Sequence, residues 1–366
     1  MRPTTATLRA AFETLSGKPA LSLRVEDRPP LADRLTWEEI TTTGAAARGS
    51  HHCAPFANGW LARIQNDASG NVHACVDHMD GSAPTWYQIG TQACPTGDSV
   101  AIVTLGAEVW CLWLDAQNPR KLKARHASNY LSSWGQTSTV YESPSGSVLK
   151  ALAAAYCTNG DPPTNFVYVI LCADYGGPDP DDRLISVFEW QGSWYYGSTH
   201  GTPLGGVTSL DFAVVPGTNE AYVLVSTYLA AEGGSLKACS FDSYSAAWGS
   251  FATLIPPAPN SGMEYRSVSL VYSPAGDAKR WLVGRNEYYS CPVADERPTY
   301  YWTTSPLHPG LPIPHPCDSY PSQWGMAFAK TAAYYYVLGT DKGYRAPTYS
   351  LLKNGCSAAL LLTYIL

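Results

Sequence analysis

An aromatic residue, usually Trp, opens a short strand-like run at nearly even intervals through most of this chain. The runs begin at Trp86 (WYQIGT), Trp134 (WGQTSTV), Trp194 (WYYGST), Trp248 (WGSFATL) and Trp302 (WTTSP), 48, 60, 54 and 54 residues apart. A period near 50 residues marks a repeat architecture, in which each unit buries its apolar faces only against its neighbours. In front of each Trp lies an alternating run: VHACVD at 72–77, KLKARH at 121–126, LISVFE at 184–189, LKACSFD at 236–242 and YYSCPV at 288–293. A polar or Pro-bearing turn separates the two runs, so each pair reads as a β-hairpin.

Two further strand candidates precede each hairpin. They are SVAIVTLG and EVWCLWLDA in the second repeat, VLKALAAAYC and FVYVILCADY in the third, LDFAVVPG and AYVLVSTY in the fourth, RSVSLVYSP and RWLVGRNE in the fifth, and WGMAFAK and AYYYVLGTD in the sixth. Four strands in about 50 residues is the size of a propeller blade. The expected fold is an all-β, β-propeller domain of six four-stranded blades, with five and seven as the neighbouring counts. The sixth hairpin is weaker, YSLLKN at 349–354 followed by LLLTYI at 360–365, and Trp37 in LTWEEITTTG reads as an orphan strand that completes or extends the last blade. The boundaries are therefore an N-terminal segment, 1–34, packing on a single propeller of residues 35–366.

Composition agrees with many short strands and tight turns: of 366 residues, 45% are hydrophobic and 15% charged, with 31 Gly and 28 Pro. A net charge of -6 without a basic stripe argues against a nucleic-acid partner, because phosphate binding requires clustered Lys and Arg. No apolar run approaches the roughly 20 residues of a membrane span. The first residues lack the apolar core of a secretory signal, which fits either an intracellular protein or a trimmed secreted one. Ten cysteines lie without CxxC or Cys/His metal spacing. Cys75, Cys239 and Cys291 recur on one strand of three repeats, which favours buried small hydrophobes over disulfide partners.

No nucleophile elbow, P-loop or zinc-protease motif is present, and no cofactor or metal is implied. GGPDPDDR at 176–183 carries Asp179, Asp181 and Asp182 but lacks EF-hand spacing, and reads as a solvated turn. Loops leading into the innermost strands gather at one mouth of a propeller. On this count they carry His51, His52, His200, Glu264, Tyr265, Arg266, His315, Asp318, Gln323 and Trp324, a set suited to acid-base chemistry or polar recognition. The Pro-rich segment 305–323 is the longest irregular stretch and either lids that mouth or is a tolerated insertion. Arg285, Glu287 and Tyr288 supply a second candidate, since a sugar pocket needs paired donors and acceptors beside a flat ring. The repeated Trp has two readings, packing between blades and a sugar-stacking platform; its repetition favours packing.

The blade size and the outer strands WYQIGT and WYYGST resemble the fucose-specific lectin propellers of fungi and bacteria, over residues 55–366. That resemblance implies sugar sites built from Arg, Glu and an aromatic, the combination offered here by Arg285, Glu287 and Tyr288 with Tyr265 and Trp324. The turns MDGSAPTW and SFDSYSAAW are similar to the Asp-box of sialidase-like propellers, without its full residue order and without an arginine triad. Some lectin-like propellers are enzymes that position natural-product intermediates for cyclisation or cycloaddition. The expected function is thus a carbohydrate-binding, lectin-like propeller without catalysis, its partner a glycan. The alternative is a small-molecule enzyme at the central mouth using His51, His52, His200, Glu264 and Arg266.

Overall fold

The computed structural model describes residues 35–41, 51–67, 69–78, 84–94, 98–159, 164–177, 181–257, 259, 263–273, 280–289, 295–303, 305–308, 311–313, 327–330, 334–339 and 348–354. All the regular structure among them is β. The unit Trp37–Leu352 holds the sheets; Met1–Thr36 and Lys353–Leu366 are grouped apart from it, and segment 1–34 lies outside the described residues.

Six antiparallel sheets are built in chain order. The first contains β2 (His51–Pro55), β3 (Leu61–Asn66), β4 (Val72–Asp77) and β5 (Tyr87–Gly90). The second contains β6 (Val100–Leu105), β7 (Glu108–Leu114) and β8 (Lys121–Ser128), against which β9 (Ser133–Trp134) and β10 (Ser138–Glu142) both pair. The third is β11 (Val148–Asn159), β12 (Thr164–Asp174), β13 (Asp182–Trp190) and β14 (Ser193–Thr199). The fourth is β15 (Val207–Val214), β16 (Glu220–Leu229) and β17 (Gly233–Asp242), with β18 (Ala247–Trp248) and β19 (Ala252–Ile255) on its outer edge. The fifth is β20 (Met263–Ser273), β21 (Arg280–Tyr289), β22 (Asp295–Thr303) and β23 (Leu311–Ile313). The last is β24 (Ala327–Lys330), β25 (Tyr334–Gly339) and β26 (Thr348–Asn354), completed at its outer edge by β1 (Leu35–Thr41).

The first strands of the sheets follow one another in a closed cycle: β2 lies against β6, β6 against β11, β11 against β15, β15 against β20, β20 against β24, and β24 against β2. This is propeller construction. It explains the near-continuous apolar character of the inner strands, because both faces of each sheet are covered by a neighbour. On β7, Val109, Cys111 and Trp113 enter the core shared with the first sheet, while Leu112 and Leu114 enter the core shared with the third. On β12, Val167, Val169, Leu171 and Ala173 face the second sheet, and Tyr168, Ile170 and Cys172 face the fourth. The outer strand β14 is mostly exposed or half-buried.

The Trp residues at the outer edges serve this packing. Trp134 lies on the core between the first two sheets and Trp194 on the next. Trp248 lies on the core between the third and fourth sheets, and its Nε1 donates to Ser198 Oγ of the third at 2.9 Å. Trp302 breaks the pattern. It pairs with Leu282 and Leu311 inside β22, the third strand of its sheet, and does not open an outer one. The outer strand there is β23, inside the segment read as irregular. Of the expected strand 288–293, Tyr288 and Tyr289 instead end β21, and Cys291 lies outside the described residues, as do LLLTYI and the 314–323 part of the Pro-rich segment. Cys75 and Cys239 do occupy third strands, buried and free, and the described cysteines form no disulfide.

Candidate functional site

Side chains lock the inner strands to one another. His52 Nδ1 accepts the Ile102 amide at 3.3 Å and Thr104 Oγ1 donates to Pro55 O at 2.6 Å, joining the first and second sheets. Asp98 reaches from the second sheet to the fourth, where its Oδ2 accepts both the Ser209 hydroxyl and the Leu210 amide; its backbone carbonyl accepts the Leu152 amide of the third. Ser209 Oγ in turn accepts the Val268 amide of the fifth sheet at 3.0 Å. Asp211 divides its oxygens, Oδ2 to the Leu270 amide at 2.6 Å and Oδ1 to the Phe212 amide at 2.7 Å. Burial pushes these carboxyls up, Asp98 to about 6 and Asp211 to about 7, with the Asp98 charge adding to the second shift.

A cavity of about 280 Å³ lies between the inner strands of five sheets, lined among others by His52, Cys53, Tyr156, Asp211 and Tyr272. Its polar groups are already occupied. The Asp211 carboxylate serves two backbone amides, His52 serves a third, and burial pushes the Cys53 thiol up to about 12, far from a thiolate at neutral pH. This wall is built to hold strands together.

His51 and His52 are in β2, not in a loop leading to it, and Glu264, Tyr265 and Arg266 are in β20. His200 does follow an outer strand, but it is buried between the third and fourth sheets. Its ring lies 5.7 Å from Trp248 and 4.8 Å from Phe251, and Nδ1 accepts the Thr202 amide at 3.2 Å. Trp324, His315, Asp318 and Gln323 lie outside the described residues. Instead, two groups that the sequence left separate share one end of the fifth sheet. Tyr265 pairs with Glu287, Glu264 with Tyr288, and Val268 with Arg285, whose guanidinium lies 5.8 Å from the Tyr265 ring centre. Arg266 sits at a register shift there. The same shift occurs at Lys150 and Thr208, 58 residues apart in each step, a recurrence that no Trp marks.

Asp182 also departs from its expected solvated turn. It is fully buried at the start of β13, pairs with Lys150 Nζ at 2.9 Å and accepts the Val207 amide at 2.6 Å.

A polar cleft lies between the first and second sheets, about 450 Å³, lined by Gln88, Gly90, Asp115, Lys123, Arg125 and Thr137 among others. Trp113 forms its floor, so close under Gly90 that a Cβ there would lie 2.6 Å from the indole. Arg125 is fixed by Nε to Gly135 O at 2.8 Å and Nη1 to Ile89 O at 3.0 Å, and its guanidinium lies 5.1 Å from the Trp134 ring centre. Among the described residues Nη2 keeps no protein partner. Lys123 Nζ and Asp115 Oδ2 stand 3.6 Å apart beside it, and Tyr87, exposed, is 6.4 Å from Trp134. Sequence reasoning passed over this set because Arg125 reads as one more polar residue of an alternating strand. Its value comes from the neighbouring sheet.

No family model and no curated protein matches the chain. Solved structures do. A lectin from Aleuria aurantia, in complex with Fucα1-6GlcNAc, is similar with a TM-score of 0.54 at 12% identity, over 85% of this chain and 97% of that one. AofleA from Arthrobotrys oligospora gives 0.56 at 13% identity, over 87% and 89%. A Trypanosoma rangeli sialidase bound to the inhibitor DANA gives 0.57 at 10% identity, over 87% of this chain and 56% of that one. The architecture is that of the lectin and sialidase propellers.

Proposed function

We propose that this protein binds carbohydrate without transforming it, and that the cleft between the first and second sheets is its principal site. The observation that carries the reading is Arg125: a guanidinium held rigid by two backbone carbonyls and the Trp134 ring, with one nitrogen left to donate into a cleft that also holds Lys123, Asp115 and Gln88. Asp115 Oδ1 accepts the Gln117 and Asn118 amides, and Gln88 Nε2 donates to Asn71 Oδ1, so that the Gln88 side-chain carbonyl remains. Sugar hydroxyls both donate and accept, so a ligand of this class is matched by adjacent cations, a carboxylate and an amide. Exposed Tyr87 beside Trp134 offers a flat apolar face. Fold likeness to a fucose-binding lectin supports the ligand class, and likeness to a sialidase supports it from the side of an enzyme that acts on sugars. The Arg285–Tyr265 pair, with Glu287 and Tyr288 on the paired strands, is proposed as a lesser site of the same kind.

A glycan array screened with the wild-type protein and with Arg125→Ala tests this reading. Loss, in the folded variant, of binding to at least one defined sugar is the expected result. Failure of the folded wild-type protein to bind any glycan, or binding indifferent to the substitution, would overturn it and move attention to a small-molecule enzyme on the central cavity.

A further inference from the structure

The strand β7 runs from the polar cleft just described to a second one at its other end. Asp115 follows its last residue, while Trp110, five residues back and about 17 Å away at strand rise, lines the other cleft. That second cleft, about 380 Å³, lies between the second and third sheets and is lined by Leu105, Trp110, Tyr156, Asn165, Phe166, Val167, Glu189, Trp190 and Gln191.

Three features of this lining are already arranged for a ligand. First, the Tyr156 hydroxyl donates to the Asn165 side-chain carbonyl, and the Thr158 hydroxyl donates to Tyr156 Oη at 3.1 Å. With its carbonyl accepting from Tyr156, the amide leaves Nδ2 with N–H groups that no described residue accepts. Second, Glu189 Oε1 accepts the Gly192 amide, which holds the carboxylate and leaves Oε2 as an acceptor. Third, Trp190, 39% exposed, ends β13 with its ring 6.4 Å from Phe166 and 6.2 Å from Tyr195. It is presented by a two-residue turn in which Gln191 (φ 50°) and Gly192 (φ 81°) are both left-handed. Positive φ at both positions is what a two-residue hairpin turn of this kind requires, and it sets Trp190 at the strand end beside the cleft.

We propose that this cleft is a further saccharide site, taking one pyranose residue. Its apolar ring face lies on the Trp190 indole, and a pair of neighbouring hydroxyls bridges the Asn165 donor and the Glu189 acceptor. It shares with the proposed function only the class of ligand; no residue is common to the two clefts, and either stands without the other.

The test is saturation-transfer NMR and tryptophan-fluorescence titration of the full chain with methyl β-D-glucopyranoside, methyl β-D-galactopyranoside and methyl α-L-fucopyranoside. Wild-type protein, Trp190→Ala, Asn165→Ala and Arg125→Ala are compared, each first checked for an unchanged melting transition. Trp190 and Asn165 are both exposed, so these variants keep the core. Expected is a pyranoside whose ring protons receive saturation in Arg125→Ala as in wild type, and whose affinity falls roughly tenfold or more in Trp190→Ala and in Asn165→Ala. The proposal is overturned if none of the three pyranosides binds the wild-type protein. It is equally overturned if all binding is lost with Arg125, or if both cleft variants retain wild-type affinity.

Discussion

Replacing Asp98 by Asn and by Ala separates two effects that the fold combines in one carboxylate. Both of its side-chain hydrogen bonds, from the Ser209 hydroxyl and the Leu210 amide, end on the same oxygen, Oδ2. An asparagine carbonyl can stand in that place and keep both; alanine keeps neither, and leaves two donors between sheets without an acceptor. At about 1–3 kcal/mol per orphaned donor, Asp98→Ala should cost about 2–6 kcal/mol. The charge works the other way. Burial pushes this carboxyl from 3.8 up to about 6, a preference for the neutral form worth about 3 kcal/mol at most, and less because Asp98 is only half-buried. An acid whose folded pKa is raised contributes stability that is complete below about pH 4 and lost as pH rises through about 6. Wild type should therefore lose stability relative to Asp98→Asn over that window, and the asparagine variant should match or exceed wild type at pH 8. Urea unfolding followed by tryptophan fluorescence at about pH 4.5 and pH 8 measures both differences, and Asp211, present in every variant, cancels to first order. Equal destabilisation by Asn and Ala at pH 8, or a gap between wild type and Asp98→Asn that ignores pH, would refute the reasoning.

Other substitutions probe different supports. Asp77→Ala removes the carboxylate 3.2 Å from Arg63 where the two side chains are 1% and 3% exposed, and should cost about 3–5 kcal/mol in urea unfolding because a buried cation loses its counter-charge. Gly206→Ala places a Cβ 2.2 Å from the Tyr228 carbonyl oxygen at φ +59°, so a fall in melting temperature corresponding to more than about 1 kcal/mol is expected. Burial holds the thiols of Cys53, Cys75, Cys157 and Cys239 up to about 12. A disulfide-exchange reagent should leave all four unlabelled in the native protein and label them on unfolding, with the same number found with and without prior reduction.

Much of the architecture was legible because it is periodic. Alternating hairpins, and an aromatic at nearly even intervals through the first four sheets, point to the sheets directly, and even the orphan strand at Trp37 lies at the outer edge of the last sheet. The fifth sheet was misread for a local reason: β22 begins Asp295, Glu296, Arg297, Pro298, a start that reads as a loop, while the neighbouring YYSCPV carries the stronger strand pattern. The candidate site was less legible because it is made between repeats. Arg125 matters through Ile89 of another sheet, and Asp98 through Ser209, which stands 111 residues later. Such partners are fixed by the closure of the ring, and no pattern internal to one repeat announces them. Asp182 was taken for a solvated turn residue because its partners, Lys150 and Val207, belong to strands on either side of the loop.

The pairing of Leu35–Thr41 beside Thr348–Asn354 has a consequence for how the molecule is made. The strand that seals the last sheet leaves the ribosome early and must wait for a partner more than 300 residues behind it. At synthesis rates of about 5–20 residues per second, that wait lasts on the order of tens of seconds. Throughout it, the nascent arc carries an open sheet face at each end, each a template for the wrong neighbour. Yield in the cell should then depend on translation speed and chaperone supply more than on the final stability of the closed ring.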